Sequence, residues 1–217
     1  MRTQIKICCI RSVDEAERAI RAGADGVGMV GARPPSPRTI PDVEIAHIAV
    51  AISPSVPSYL LTTERDAVAI AAQVASTGAN AVQIIDHIDF AESEKLAALI
   101  PRVRRVQVIH VTGHEVLELI PQYAPHVSAF LLDSGDPSKP IKKFGGTGRQ
   151  HDWSISAEFV RQSEKPVVLA GGLNPDNVAT AINIVRPSGV DVCSGVRTDG
   201  QLDDDKLFRF IAAVRAR

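Results

Sequence analysis

A chain of 217 residues can bury one full-sized core, and α/β barrels of about 200–250 residues fold as one unit, so one domain over residues 1–217 is expected. Its 24 Lys and Arg against 25 Asp and Glu leave no basic field to draw nucleic acid or an anionic membrane, and a small ligand is the expected partner. No run of about 18 apolar residues occurs, the opening MRTQIKICCI lacks a small-residue cleavage site, and Cys8, Cys9 and Cys193 make no disulfide framework; these features point to a cytoplasmic protein with free thiols.

Short β-branched runs alternate along the chain with Ala-rich segments of helical period. A strand from Gln4 to Ile10 leads into a helix from Val13 to Ala22, and a second from Asp25 to Val30 leads into Pro41 to Ile52. Ser58 to Thr62 precedes a helix from Arg65 to Ser76, and Ala81 to Ile85 one from Ala91 to Ile100. Val103 to His110 is followed by His114 to Pro121, and Ser128 to Leu132 by Ser154 to Gln162. Pro166 to Ala170 with Pro175 to Val185, then Val190 to Cys193 with Asp203 to Ala216, complete eight pairs. At roughly 27 residues per pair, little is left for a second domain, and a single closed (β/α)8 TIM barrel of the α/β class accounts for the count better than an open sheet. Helix starts are signalled by Ser12 with Glu15, by Ser154, and by Asn174 before Pro175. The stretches Gly31 to Thr39 and Ser134 to His151 carry neither period; they follow strands at the catalytic rim and are either substrate loops or tolerated insertions.

Two motifs converge on an anion. Leu169-Ala170-Gly171-Gly172-Leu173-Asn174-Pro175 is a strand ending in two glycines, which let a phosphate approach the backbone, and Asp191-Val192-Cys193-Ser194-Gly195-Val196 repeats the arrangement after strand eight. Loops seven and eight are where these barrels commonly hold phosphate, so Gly171, Gly172, Ser194 and Gly195 are the phosphate candidates. Either glycine pair alone would read as a tight turn.

Strand alternation places Lys6 and Cys8 on one face, about 6.6 Å apart, with Cys9 on the other, so that one thiol alone can enter the mouth. A neighbouring cation favours thiolate at Cys8, making it a base or nucleophile; the alternative is a small buried hydrophobe. Asp133 closes strand six and is a candidate acid or base, or else a cap or loop salt bridge. Arg38 can bind a carboxylate bidentately, and Asp152 reads as the cap of the helix near Ser154. The six histidines have no metal-ligand spacing, and no metal is expected.

Read in order, these pieces resemble the phosphoribosylanthranilate isomerase family of tryptophan biosynthesis. The resemblance rests on Lys6-Ile7-Cys8, Gly23-Ala24-Asp25-Gly26-Val27-Gly28, Ser36-Pro37-Arg38, Asn80-Ala81-Val82-Gln83, Leu131-Leu132-Asp133, and Gly145-Gly146-Thr147-Gly148 with Asp152-Trp153, as well as both phosphate motifs. It implies an aldose-ketose isomerase without cofactor or metal, performing the Amadori rearrangement of an N-linked ribose phosphate. Carried over, Asp133 protonates the ribose ring oxygen and opens the ring to a Schiff base, and Cys8 removes the C2 proton. Arg38 would then hold the anthranilate carboxylate, Asp191 a sugar hydroxyl, and the turns at Gly172 and Ser194-Gly195 the phosphate.

Several positions depart from the family pattern. Ile85 stands where a histidine is usual, Cys9 replaces a glycine, Tyr59-Leu60-Leu61 replaces Gly-Val-Phe, and Arg197 replaces a glutamate. Ile85 and Arg197 predict weak turnover of phosphoribosylanthranilate with phosphate binding intact, and Arg197 is expected as a rim charge. Two further readings stay open: a divergent barrel acting on another amino-sugar phosphate, and a sugar-phosphate binding protein without turnover. The sequence sets no oligomeric state.

Overall fold

The structure is a computed structural model describing residues 2–31, 38–135 and 150–216. The strands β1 (Gln4–Ile7), β2 (Gly26–Val30), β3 (Ser58–Thr62), β4 (Ala81–Ile84), β5 (Arg104–His110), β6 (Ala129–Asp133), β7 (Val167–Leu169) and β8 (Gly189–Val192) pair in sequence order into a closed parallel barrel. Helices α1 (Val13–Ala22), α2 (Asp42–Ala51), α3 (Ala67–Thr77), α4 (Phe90–Leu99), α5 (Ile120–Tyr123), α6 (Trp153–Gln162), α7 (Val178–Val185) and α8 (Asp204–Arg215) separate and follow the strands. A small hairpin, β9 (Arg197–Thr198) with β10 (Gln201–Leu202), lies between β8 and α8. Among the described residues, no helix is long and apolar enough to cross a membrane.

Seven strands lie within one residue of their expected bounds. The first stops at Ile7 rather than Ile10, because Cys9 adopts φ 62°, which no strand accommodates. The fifth helix differs as well: residues His114–Leu119 form a 3-10 helix, and the α turn starts at Ile120, so that Pro121 opens the α segment instead of ending it. Proline, lacking an N–H, is suited to a helix's first turn. The start expected at Asn174-Pro175 moves to Val178. The Asn174 side chain accepts from the N–H groups of Asp176 and Asn177 at 2.9 and 3.1 Å, forming an Asx turn before the helix. Elsewhere the capping signals hold: Ser12 accepts from Glu15 N–H, and Asp152 caps α6 through Ser154 N–H.

Strand residues alternate between two cores. Ile5, Ile7, Val27, Met29, Phe130, Leu132 and their equivalents pack against the helices, with Phe130 edge-on to Phe159 at 5.2 Å. The other set fills the barrel, where Val106, Val108, Ala129, Leu131 and Ala170 form an apolar cluster against Tyr59 and Val168. Lys6 also lies in this interior, its ammonium 5.4 Å from the Tyr59 ring centroid. Gly28 makes room for it, since a Cβ there would come within 2.9 Å of Lys6 Cε and Nζ.

Candidate active site

The mouth at the C-terminal strand ends collects the residues singled out from sequence. Just beyond β1, Cys8 is buried, its N–H donating to the Val192 carbonyl of β8 at 2.8 Å. One layer deeper, Lys6 Nζ sits 2.9 Å from Asp191 Oδ2 with both side chains buried. Burial works against the Lys6 charge, but Asp191 and, after it, Cys8 raise its pKa. Lys6 is therefore not the private cation of Cys8 that alternation suggested: its charge is shared with a carboxylate on β8. Asp191 Oδ1 has no hydrogen-bond partner among the described residues, so one oxygen of the pair remains available to a hydroxyl.

Cys9 corrects a second expectation. Its left-handed backbone breaks the strand alternation, and its sulfur turns back to meet Cys193 Sγ at 2.7 Å. Cys8, Cys9 and Leu61 form one cluster, against which Val30, Tyr59, Ile85 and Cys193 pack. The thiols thus share a site, and the wall around them is apolar.

Asp133 ends β6, three strands round the barrel from β1. Its carboxylate accepts from Ser134 N–H at 2.7 Å. Burial pushes the Asp191 carboxyl above its ordinary range, Lys6 pulls it back, and the charge of Asp133 adds to the rise, so the two carboxylates feel each other across the mouth. His151, just before α6, is held below the ordinary imidazole range by burial, with Asp133 working the other way. Its Nε2 lies 2.7 Å from Ser156 Oγ, while Nδ1 has no partner among the described residues.

Between β6 and β1 lie the two small-residue turns. Gly171 and Gly172 take φ 82° and 66°, values at which a side chain is strained. A Cβ on Gly171 would also press on Ser134 N and His151 Nδ1, at 2.9 and 3.0 Å. Asn177 fixes the turn, donating from Nδ2 to the Gly172 carbonyl and accepting from Asn174 N–H, both at 2.9 Å. Ser194–Val196 is a single 3-10 turn, and any side chain at Gly195 would collide with the Leu173 carbonyl. The two turns are thus in backbone contact and form one surface. Arg38 is near enough to Cys193 for its charge to help lower that thiol's pKa. The motif residues Ser36-Pro37 and Gly145 to Gly148 lie outside the described residues, as does most of each non-periodic stretch.

Arg197 is no rim charge. Its side chain is only 7% exposed and pairs with Glu15 at 3.0 Å, while Nη2 donates to the Cys9 carbonyl at 2.6 Å. Glu15 also accepts from Arg11 N–H. Arg197 therefore braces the turn after β1 and offers no second anion site.

Sequence reading overlooked His110. It is 1% exposed at the end of β5, in register with Asp133 on β6. Its Nε2 lies 3.0 Å from the Ile85 carbonyl, and since a carbonyl only accepts, Nε2 carries the proton. A side chain on Gly135 would strike its ring, so His110 packs directly against the segment that follows Asp133. Its neighbour His87 stacks at 6.0 Å and is held below the ordinary imidazole range by burial and then by His110. Position within strand five, facing inward at its last residue, was the only sequence signal for His110. Among the described residues, no cluster of His, Cys, Asp or Glu has the arrangement of a metal site.

The family described as N-(5'phosphoribosyl)anthranilate (PRA) isomerase matches residues 5–213. The chain belongs to this family. Among its relatives, N-(5'-phosphoribosyl)anthranilate isomerase 2 of Methanosarcina mazei is 36% identical over 210 residues, spanning 96% of this chain and 92% of the relative. The crystal structure of phosphoribosyl anthranilate isomerase from Thermotoga maritima superposes with a TM-score of 0.85 at 30% identity, covering 99% of this chain and 100% of the other. A further isomerase structure, in complex with reduced 1-(o-carboxyphenylamino)-1-deoxyribulose 5-phosphate, gives 0.82 at 28% identity over 99% and 100% of the two chains.

Proposed function

We propose that this barrel catalyses the Amadori rearrangement of phosphoribosylanthranilate, with Asp133 as general acid and Cys8 as general base. The order of groups around the rim carries the reading: a carboxylate on β6, backbone turns after β7 and β8, and a thiol after β1. A ribose phosphate anchored at Gly171, Gly172, Ser194 and Gly195 would lie between acid and base. Asp133 then reaches the ring oxygen from one side and Cys8 the C2 proton from the other. Proton transfers at two sites need groups held in opposite protonation states, and separate strand ends supply separate environments.

The free Oδ1 of Asp191 suits a ribose hydroxyl, held in place by Lys6. Val30, Leu61 and Ile85 beside Cys8 suit the anthranilate ring, and Arg38 its carboxylate. His110 supports Asp133 as a positioning residue, packed between the Ile85 carbonyl and the segment after the acid. Arg197, taken up by Glu15, removes one of the two reasons to expect weak turnover. Growth without tryptophan of a host lacking the isomerase tests the assignment: the wild-type gene restores growth, and Cys8→Ala and Asp133→Asn do not. Failure of the folded wild-type protein to restore growth sinks it and favours the reading of another amino-sugar phosphate.

A further inference from the structure

Cys9 and Cys193 have no part in the proton transfers, yet their sulfurs lie 2.7 Å apart. They come from strand ends that meet only when the barrel closes. Cys9 is buried, whereas Cys193, just beyond β8, is part-exposed. Cys9 also holds a left-handed conformation that glycine would adopt without strain. We propose that Cys9 and Cys193 are an oxidisable dithiol that a small hydroperoxide converts to a disulfide, and that this bond, by locking two strand ends of the catalytic mouth together, lowers turnover. The effect on turnover rests on the reading of Cys8 as base and of the Ser194-Gly195 turn as phosphate site; formation of the bond does not.

The chemistry divides by exposure. Cys193 attacks first: its thiolate sulfur bonds one peroxide oxygen, the O–O bond breaks, and the departing hydroxide takes a proton and leaves as water. Cys193 is then a sulfenic acid. The Cys9 sulfur attacks it, the S–O bond breaks, and the hydroxyl leaves as water with the Cys9 proton. Two thiols are oxidised by two electrons, and hydrogen peroxide is reduced to two waters. The surroundings favour these roles, since the Cys9 hydrogen bond, and then Arg38 and Arg197, bring Cys193 down to about 7, against burial and Asp191. Cys9 is pushed up by its hydrogen bonds with Cys193 and Cys8, so it is the later nucleophile.

The new bond would tie the residue after Cys8 to the residue before Ser194. A disulfide needs sulfurs about 2.05 Å apart, so the 2.7 Å approach must tighten and the two strand ends are then held to each other by a covalent bond. Displacing catalytic groups by about 1 Å costs up to ~10²-fold in rate.

The experiment treats the wild type, Cys8→Ala, Cys9→Gly and Cys9→Ser with hydrogen peroxide, alkylates the remaining thiols, and maps the cross-linked peptides by mass. The cross-link to Cys193 is expected in wild type and Cys8→Ala and absent from both Cys9 variants. Wild-type turnover should fall at least ~10-fold in proportion to the cross-linked fraction and return with dithiothreitol. Absence of the cross-link from Cys8→Ala overturns the dithiol. A fully cross-linked wild type with unchanged turnover overturns the effect of the bond on turnover. Because the cross-link is read in a variant lacking the base, failure of the isomerase reading would show separately, as absent turnover in reduced wild type.

Discussion

At the ends of β7 and β8 the mouth is made of backbone, and at the ends of β4 and β5 it is made of side chains. In the first sector, left-handed Gly171 and Gly172 meet the 3-10 turn at Gly195 so closely that a Cβ collides with the Leu173 carbonyl. In the second, Ile85, His87 and His110 bring their own groups, with the polar ring on β5 and an apolar residue after β4. A backbone surface can be built in few ways, whereas a side-chain group can be supplied from either neighbouring strand. Substitution should therefore be ruinous in one sector and graded in the other.

The proposed acid and base, Asp133 and Cys8, flank the backbone sector and set the upper limit. Cys8→Ala and Asp133→Asn are each expected to lower kcat by at least ~10²-fold, the scale of a positioned proton-transfer group, with ligand binding largely kept. Single-turnover rates and product titrations on folded variants check this, and activity within a few-fold of wild type removes that residue from the mechanism.

Within the backbone sector, Gly172→Val is expected to weaken inorganic phosphate binding on the order of 10- to 100-fold, equivalent to one or two lost charge-assisted hydrogen bonds. Calorimetric titration measures it. Unchanged affinity would put the phosphate elsewhere and end the comparison. The side-chain sector should respond less: His110→Gln, whose Nε2 can still donate to the Ile85 carbonyl, is expected to lower kcat about 10-fold with KM nearly unchanged. Loss of KM alone would mean that His110 binds substrate directly instead of supporting Asp133.

The smallest effect concerns acid stability. Burial lowers the pKa of His87, with His110 adding to it, while Asp86 opposes and Arg65 assists. Below about pH 6.5 the unfolded chain takes up a proton that folded His87 refuses, so stability present above that pH is lost as pH falls. Melting temperature should decline from pH 7.5 to 5.5, and His87→Leu should flatten the decline. An unaltered slope would assign the acid sensitivity to another group, half-buried His151 being the next candidate.

The same contrast explains what was legible beforehand. Strand positions followed from β-branched runs, and the two small-residue turns after β7 and β8 from glycines that only backbone geometry demands. The places of Asp133 and Cys8 at the mouth could be read because one ends β6 and the other directly follows β1. His110 was hidden by its strand, where a single polar residue in an apolar run carries no motif. The Arg197–Glu15 and Cys9–Cys193 contacts join residues 182 and 184 positions apart, and no local period reports such pairs. The brief departure at Cys9, one residue in a left-handed conformation, undid the face assignment of the thiols.

The barrel's seam has a consequence for how the chain reaches this shape. β1 hydrogen-bonds to β2 on one edge and to β8 on the other, and Arg215 of α8 reaches back to the Thr3 and Gly23 carbonyls and the Asp25 carboxylate, the last of these 190 positions away. During synthesis β1 must therefore wait with one bare edge until nearly the whole chain has emerged. Lys6 stays without its Asp191 counter-charge for the same interval. Contacts of such long separation slow folding, and an unpaired strand edge invites other chains. The residues that complete the mouth are thus also the last to relieve the chain's exposure to aggregation.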